Sequence, residues 1–495
     1  MIRAVFKLVF GSILGKLSGV VRELLLAGLY GTGVVASAAR AAQSSTLIPV
    51  DFFTANALAS AFLPVYTRLK AESEGRASLL FWSVLLLMLL CSACIALALI
   101  TYGAAWVSLV FPGFSDEAKR VTHSMLSVMA FGVPFYVVGN LLSYLAMGNG
   151  NFAMASTRAT IQNAGMVTGV LIAWWLDNPS FIAWGFTGAY FLYCIWGGGV
   201  CYRKRYAPLS HFSRGKEMAR VCAQFWAAMR PLLALPLLLQ GNAVVERMVA
   251  SLVDEGAVAA LGYAKLVTDT GVLLVAMPLG LASLSAMSVM KEDEVLAVLR
   301  KILPPLFLLA IPTAFYFVSQ SELFVTLVFE HGSFDKSSTA VTHEILRGLS
   351  WGLWAQIGAY FLVKVLSSRL RNREVFIYMG AAILVNLILN VSLFQLLGAE
   401  ALGLSSSAYA LVLFVLSAKA LKINGLVWSS VLPLLLGGII YLLVMNFASF
   451  SPTALGGVAS LVTSALFWLA FFFVVPRLRR DMVFFVSSLG RVRNV

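Results

Sequence analysis

Nine ionisable side chains stand inside stretches that otherwise read as membrane-spanning: Lys16, Arg22, Glu23, Arg40, Asp51, Glu246, Arg247, Lys265 and Asp269. A charge at such a depth costs roughly 2.5–3.5 kcal/mol on insertion scales, so it marks a cavity or a partner. Ser37, Arg40, Ser44 and Asp51 form a polar stripe at helical spacing, and Lys265 and Asp269 are i,i+4 neighbours on one turn. Lys16, Arg40 and Lys265 lie too deep to snorkel, and together they predict a water-filled cationic cavity. Such a cavity calls for an anionic ligand, and arginine and lysine suit phosphate or pyrophosphate. Arg22–Glu23 and Glu246–Arg247 have a second reading, as local pairs near the membrane interfaces. Asn386 and Asn390, one turn apart, could join Glu246 in an oxygen cage for a monovalent cation; the alternative is amide hydrogen bonding between helices.

Enzyme chemistry finds little footing. His123, His211, His331 and His343 fall at predicted loop or span ends without metal-ligand spacing. Cys91 and Cys94 form a C-x-x-C inside a run of leucine and methionine, with no second pair, and read as ordinary helix residues. Gly11-x-x-x-Gly15-Lys16 is one residue short of a phosphate-binding loop and sits in an apolar run. With no nucleotide site, transport would draw on Na+ or H+ coupling or on the membrane potential, and no cofactor is expected.

The elements that position these residues are set by composition. The chain has 495 residues, 60% hydrophobic and only 12% charged, with a mean hydropathy of +0.89. Soluble domains carry about 25% charged residues, and apolar runs of about 20 residues recur from end to end. The fold class is an all-α polytopic membrane protein. Fourteen spans are predicted, near 5–30, 34–66, 79–110, 121–148, 151–176, 181–202, 222–252, 257–290, 302–329, 338–368, 375–397, 401–421, 426–448 and 455–476. If residue 1 is cytoplasmic, inside loops and tail hold about 22 Lys and Arg against about three outside. That bias puts both termini in the cytoplasm and accounts for the net charge of +14 without nucleic acid. The N-terminus does not read as a cleaved signal peptide.

The chain also repeats. Val121-Thr122-His123 recurs as Val341-Thr342-His343, Val20-Val21-Arg22-Glu23 as Val244-Val245-Glu246-Arg247, and Gly33-Val34-Val35-Ala36 as Gly256-Ala257-Val258-Ala259. The offset spans six helices, an even number, so two six-helix lobes of parallel orientation are predicted, with the substrate path between them. The predicted division is 1–220 (first lobe and a basic loop), 221–424 (second lobe) and 425–495 (two appended helices and a basic tail).

Several stretches carry a family resemblance. Residues 15–23 (G-x-L-x-G-V-V-R-E), 59–64 (A-x-A-F-L-P), 246–251 (E-R-M-V-A-S), Tyr263-Ala264-Lys265, 332–339 (G-S-F-D-K-S-S-T), 386–393 (N-L-I-L-N-x-S-L) and 397–404 resemble, in order and spacing, the MurJ/MviN lipid II flippases of the MOP exporter superfamily. The resemblance implies a V-shaped bundle of fourteen helices in the bacterial inner membrane. It would carry a polyprenyl-pyrophosphate-linked glycan across the bilayer by alternating access, alongside glycosyltransferases or a glycan polymerase.

The substrate-binding set expected from these charges is Lys16, Arg22, Arg40 and Lys265, with Glu23, Asp51, Asp269 and Arg247 around them. The family's cavity arginines fall here on Lys16, Arg22, Val50 and Lys265, and its helix-2 acid falls on Ser37. One cation is therefore lost, two are lysines, and Arg40 is a new one. That pattern favours a divergent member serving an exopolysaccharide repeat unit, with lipid II as the other cargo. Two further readings are a cation-coupled multidrug exporter of the same superfamily, which would want acidic cavity residues, and a non-transporting membrane scaffold.

Overall fold

The protein is described by a computed structural model over residues 2–54, 56–208, 215–287 and 290–483. His211, Arg214, Arg491 and Arg493 lie outside the described residues, within which no β-strand occurs. The helices are α1 (Ile2–Tyr30), α2 (Val34–Thr54), α3 (Asn56–Glu72), α4 (Glu74–Val110), α5 (Asp116–Gly148), α6 (Ala153–Trp175), α7 (Ser180–Arg203), α8 (Lys216–Met229) and α9 (Ala234–Val253). There follow α10 (Ala257–Met287), α11 (Glu292–Phe329), α12 (Lys336–Trp351), α13 (Leu353–Ser368), α14 (Asn372–Leu397), α15 (Glu400–Ala420), α16 (Asn424–Met445) and α17 (Ala454–Val474).

Helices lie at every predicted span, but three spans are interrupted. The run near 34–66 divides into α2 and α3, that near 222–252 becomes α8 and α9 bent by 48°, and that near 338–368 becomes α12 and α13 bent by 52°. By length and hydropathy, eight helices among the described residues suffice to cross a membrane, with α2 and α3 taken as one, or ten if each bent pair is one span. The expected fourteen exceeds that number. At the remaining positions α1 carries Lys16, Arg22 and Glu23, α6 carries Arg158, α7 ends in Arg203, and α10 carries Lys265 and Asp269.

The chain resolves into two compact units, Met1–Ala259 and Ala260–Val495. The first includes α8 and α9, because α8 packs on α3 and α4, and α9 packs on α2 and α4. In the second unit α16 and α17 both pack on α11, and Tyr441, Trp468 and Phe315 sit in one aromatic cluster there. The last two helices thus share the second unit's core.

Lipid offers helices no hydrophobic reason to associate, so close packing of small residues does that work. In the first unit Gly11, Gly15 and Gly19 line the face of α1 that meets Ser156, Ala159 and Asn163 of α6. A Cβ on Gly11 would stand 2.3 Å from the Ser156 carbonyl oxygen, and Asn163 Nδ2 donates to the Gly15 carbonyl across 2.8 Å. The glycines that mimic a phosphate loop in the sequence are therefore a helix-packing groove. In the second unit Gly348 of α12 and Gly403 of α15 let those helices touch backbone to backbone.

Candidate functional site

In the first unit the predicted residues separate into two polar clusters. The first is built on α1 and α2. Glu23 is buried, and its two carboxylate oxygens accept separately: Oε1 from Arg22 Nη2 and Oε2 from Arg40 Nη2. The helix α2 brings Arg40 to this point because its stripe of alanines at 36, 38, 39, 41 and 42 is buried and lets it seat closely. Arg22 and Arg40 remain half-buried, and two guanidiniums around one carboxylate leave one formal positive charge in excess. Arg22 also directs Nη1 at Met166 Sδ of α6 at 3.4 Å, and the planar fork of arginine donors is a geometry that suits phosphate.

The second cluster lies further along α2. Asp51 Oδ1 accepts from the Tyr136 hydroxyl of α5 at 2.7 Å and from the Thr54 hydroxyl at 3.2 Å. Nearby on α6, Arg158 Nη1 donates to Asn140 Oδ1 at 3.0 Å, while the Tyr190 hydroxyl of α7 donates to Gln162 Oε1 at 2.8 Å. Tyr136 and Tyr190 meet edge to face with ring centres 4.8 Å apart, which joins these bonds into one network across four helices. Asp51 and Arg40 are eleven residues apart on one helix, about 16 Å at 1.5 Å per residue, so the stripe feeds two sites.

Other expected positions fall elsewhere. Lys16 is exposed on α1. Glu246 is buried on α9, and beside it Arg247 is half-buried with Nη1 enclosed and unmatched by a hydrogen-bond acceptor. In the second unit Lys265 is half-buried on α10 and Asp269, one turn later, is exposed. Asn386 and Asn390 are buried on α14; Asn390 Nδ2 donates to Asn386 Oδ1 at 3.1 Å, and Asn390 Oδ1 is enclosed without a donor. These amides belong to the second unit and Glu246 to the first. No cluster of three or more His, Cys, Asp or Glu suited to a metal occurs among the described residues.

Arg158 and its tyrosines are the residues that sequence reasoning passed over. The signal was present, since Arg158 stands inside the predicted span 151–176 and meets the same criterion that selected Arg40. Its proximity to the polar turn at 149–151 masked it.

The described residues form an all-helical, multi-pass fold in two units, and that is the fold of MOP-superfamily transporters. A solved lipid II flippase MurJ in an inward closed conformation superposes with a TM-score of 0.82 at 20% identity, covering 98% of this chain and 100% of that one. A multidrug resistance MATE family transporter of the MOP superfamily, inward-facing, gives 0.66 at 16% identity over 86% of this chain and 98% of its own.

The family model described as lipid II flippase MurJ matches residues 31–477, and the chain belongs to that family. Probable lipid II flippases MurJ of Rhizobium tropici and Rhizobium meliloti (strain 1021) are 25% and 26% identical over 428 and 430 residues. Those alignments cover 81% and 80% of this chain and 77% and 76% of the relatives.

Proposed function

We propose that this protein flips a polyprenyl-pyrophosphate-linked glycan from the inner to the outer leaflet of the bacterial inner membrane by alternating access, and that its cargo is an exopolysaccharide repeat unit rather than lipid II. The family supports the flippase reading, and the Arg22–Glu23–Arg40 cluster carries the specific one. Its excess positive charge fits a pyrophosphate, whereas a cationic drug would be repelled.

The departure from lipid II rests on two positions. Val50 stands where the family carries an arginine and is only 1% exposed. Ser37 stands where the family carries an acid; it is fully buried, and its hydroxyl donates to the Thr32 carbonyl at 3.1 Å. Neither side chain can meet a headgroup, so recognition shifts to Arg40. Glycosyltransferases would supply the cargo, and a polymerase would consume it outside.

Coupling to Na+, H+ or the membrane potential completes the proposal. Asn390 Oδ1, a buried acceptor without a donor, is the oxygen best suited to a monovalent cation. Transport assayed with Na+ replaced by choline, and with the potential collapsed, separates these three.

The decisive experiment is complementation. Cells depleted of their own lipid II flippase and expressing this chain at native level should lyse, and deletion of its gene should abolish a surface polysaccharide without loss of viability. Full rescue would replace this cargo with lipid II. Loss of neither polysaccharide nor viability, together with normal function after neutralising Arg22 and Arg40, would leave a scaffold.

A further inference from the structure

The basic turn after α7 is built more firmly than a solvated charge run requires. Helix α7 closes with Arg205 in the left-handed region, φ +51°, while the Tyr206 N–H donates to the Cys201 carbonyl at 3.2 Å and the Arg205 N–H to that of Tyr202 at 3.1 Å. This helix stop usually takes glycine. Two aromatic side chains then fasten the segment to neighbouring helices. The Tyr66 hydroxyl donates to the Tyr206 carbonyl at 3.2 Å, and Trp82 Nε1 donates to the Ala207 carbonyl at 3.3 Å. Arg203 and Arg205 are exposed and have no carboxylate partner among the described residues.

Beneath the turn lies a groove of about 840 Å³ between α4, α5 and α7. Its floor is apolar, formed by Leu85, Leu142, Leu145 and Gly198, and Arg203 and Arg205 stand at its rim. The sequence here reads Gly197-Gly198-Gly199 inside α7, and each glycine lowers helix stability by about 1 kcal/mol relative to alanine. Packing explains only the first. A Cβ on Gly197 would lie 2.1 Å from Met154 Cε, whereas a Cβ on Gly198 or Gly199 would meet nothing within 4 Å. The backbone is left bare over open space.

We propose that this groove is a binding site for an anionic phospholipid of the cytoplasmic leaflet, its phosphate on Arg203 and Arg205 and an acyl chain along the floor against Gly198. The two halves of the site dictate the two halves of the ligand. An alkyl-lined channel selects against a free phosphate, and two neighbouring guanidiniums without counter-charge select against a zwitterionic lipid. The loop that follows carries the basic excess that the sequence assigns to the cytoplasmic side. The site is separate from the Glu23 and Asp51 clusters and does not rest on the identity of the cargo.

The test is native mass spectrometry of the full chain in detergent, titrated with dioleoylphosphatidylglycerol, dioleoylphosphatidylcholine or glycerol phosphate. Phosphatidylglycerol should be retained in preference to phosphatidylcholine, and glycerol phosphate should not displace it. Arg203→Gln with Arg205→Gln should weaken phosphatidylglycerol binding about thirtyfold. Gly198→Leu, which fills the floor and keeps both arginines, should weaken it as much. If Gly198→Leu does not fold, acyl-brominated phosphatidylglycerol should quench a component of wild-type fluorescence that is missing in Trp82→Phe. Equal retention of the two lipids, displacement by glycerol phosphate, full affinity in Gly198→Leu, or quenching unchanged by Trp82→Phe would each overturn the proposal.

Discussion

The Tyr136 hydroxyl reaches Asp51 Oδ1 across 2.7 Å and so ties α5 to α2 at a carboxylate with no arginine or lysine in ion-pair distance among the described residues. Arg158, which could have neutralised it, instead donates to Asn140. Asp51 is thus held by hydroxyls, unlike Glu23 on α1, which has two guanidiniums. One unit of the protein contains a cation-rich site and a hydroxyl-lined acid, and they need not do the same work.

Removing the hydroxyl should expose this difference. Tyr136→Phe leaves half-buried Asp51 with only Thr54 as hydrogen-bond donor, at a cost of about 1 kcal/mol. The variant should insert normally and lose its fold at lower temperature in detergent. Wild-type thermal behaviour would show that water replaces the hydroxyl and that the bond is not structural.

Glu23 should behave as a clamp. Glu23→Ala leaves Arg22 and Arg40 half-buried side by side, and breaking a buried charge cluster costs about 3–5 kcal/mol. Adding Arg40→Leu to Glu23→Ala removes one of the two like charges that Glu23 held together and should recover part of the loss. The double variant would then fold better than the single one while failing to transport. A double variant no more stable than Glu23→Ala would deny that Arg40 and Glu23 interact.

How far these sites were legible follows from what charge patterning reports. A charged residue in an apolar run announces itself, and so Arg22, Glu23, Arg40 and Asp51 were found from sequence. Which of them share a site was not, because that depends on the register between α1, α2 and α5. Lys16 belonged to the expected set by type and is exposed in the structure. The break at α8–α9 has a signal in Arg230-Pro231 that the hydropathy reading passes over, whereas the one at α12–α13 falls in a run with no charge or proline. At the second, the Gly352 N–H donates to Ser407 Oγ at 2.8 Å, so a long-range partner stabilises the bend.

The start of α12 should respond to pH in one direction only. Asp335 caps this helix outside the membrane, and the Ser338 N–H at 2.8 Å, with the Ser337 hydroxyl, holds its carboxyl below the usual carboxylate range. A depressed folded-state value stabilises the cap fully above the ordinary aspartate pKa of about 4, and the contribution is lost as pH falls through the folded-state value. Hydrogen exchange at residues 336–340, expressed as protection factors relative to the intrinsic amide rate at each pH, should therefore not change between pH 8 and pH 6. At pH 7 Asp335→Ala should speed it, by the equivalent of about 1 kcal/mol. A lower protection factor at pH 6 than at pH 8 would show that another group governs the cap.

Helix packing in the second unit should tolerate little at Gly403. A Cβ there would stand 2.4 Å from the Ile345 carbonyl and 2.5 Å from the Leu349 nitrogen, both of them backbone atoms that no rotamer can move. Arg347 also grips Glu400 in this crossing, with contacts of 3.0 and 2.6 Å. Gly403→Ala should force α12 and α15 apart and reduce the amount of folded protein recovered, whereas Gly425→Ala, which meets nothing within 4 Å, should not. Equal recovery of the two would mean that the helices separate at little cost.

Topology gives the last test, and it bears on every assignment of sidedness. The basic excess predicts Arg205 and Arg371 inside and Lys119 and Lys336 outside, because cationic loops resist translocation. After removal of Cys91, Cys94, Cys194, Cys201 and Cys222, single cysteines at Lys119 and Lys336 should react with an impermeant thiol reagent in intact cells. Those at Arg205 and Arg371 should react only after lysis. The reversals in chain order make this sharp, since one span too many or too few between Lys119 and Arg205 inverts every later loop. Labelling of Arg205 from outside would put the phospholipid groove in the wrong leaflet and would require the spans at α5, α6 and α7 to be recounted.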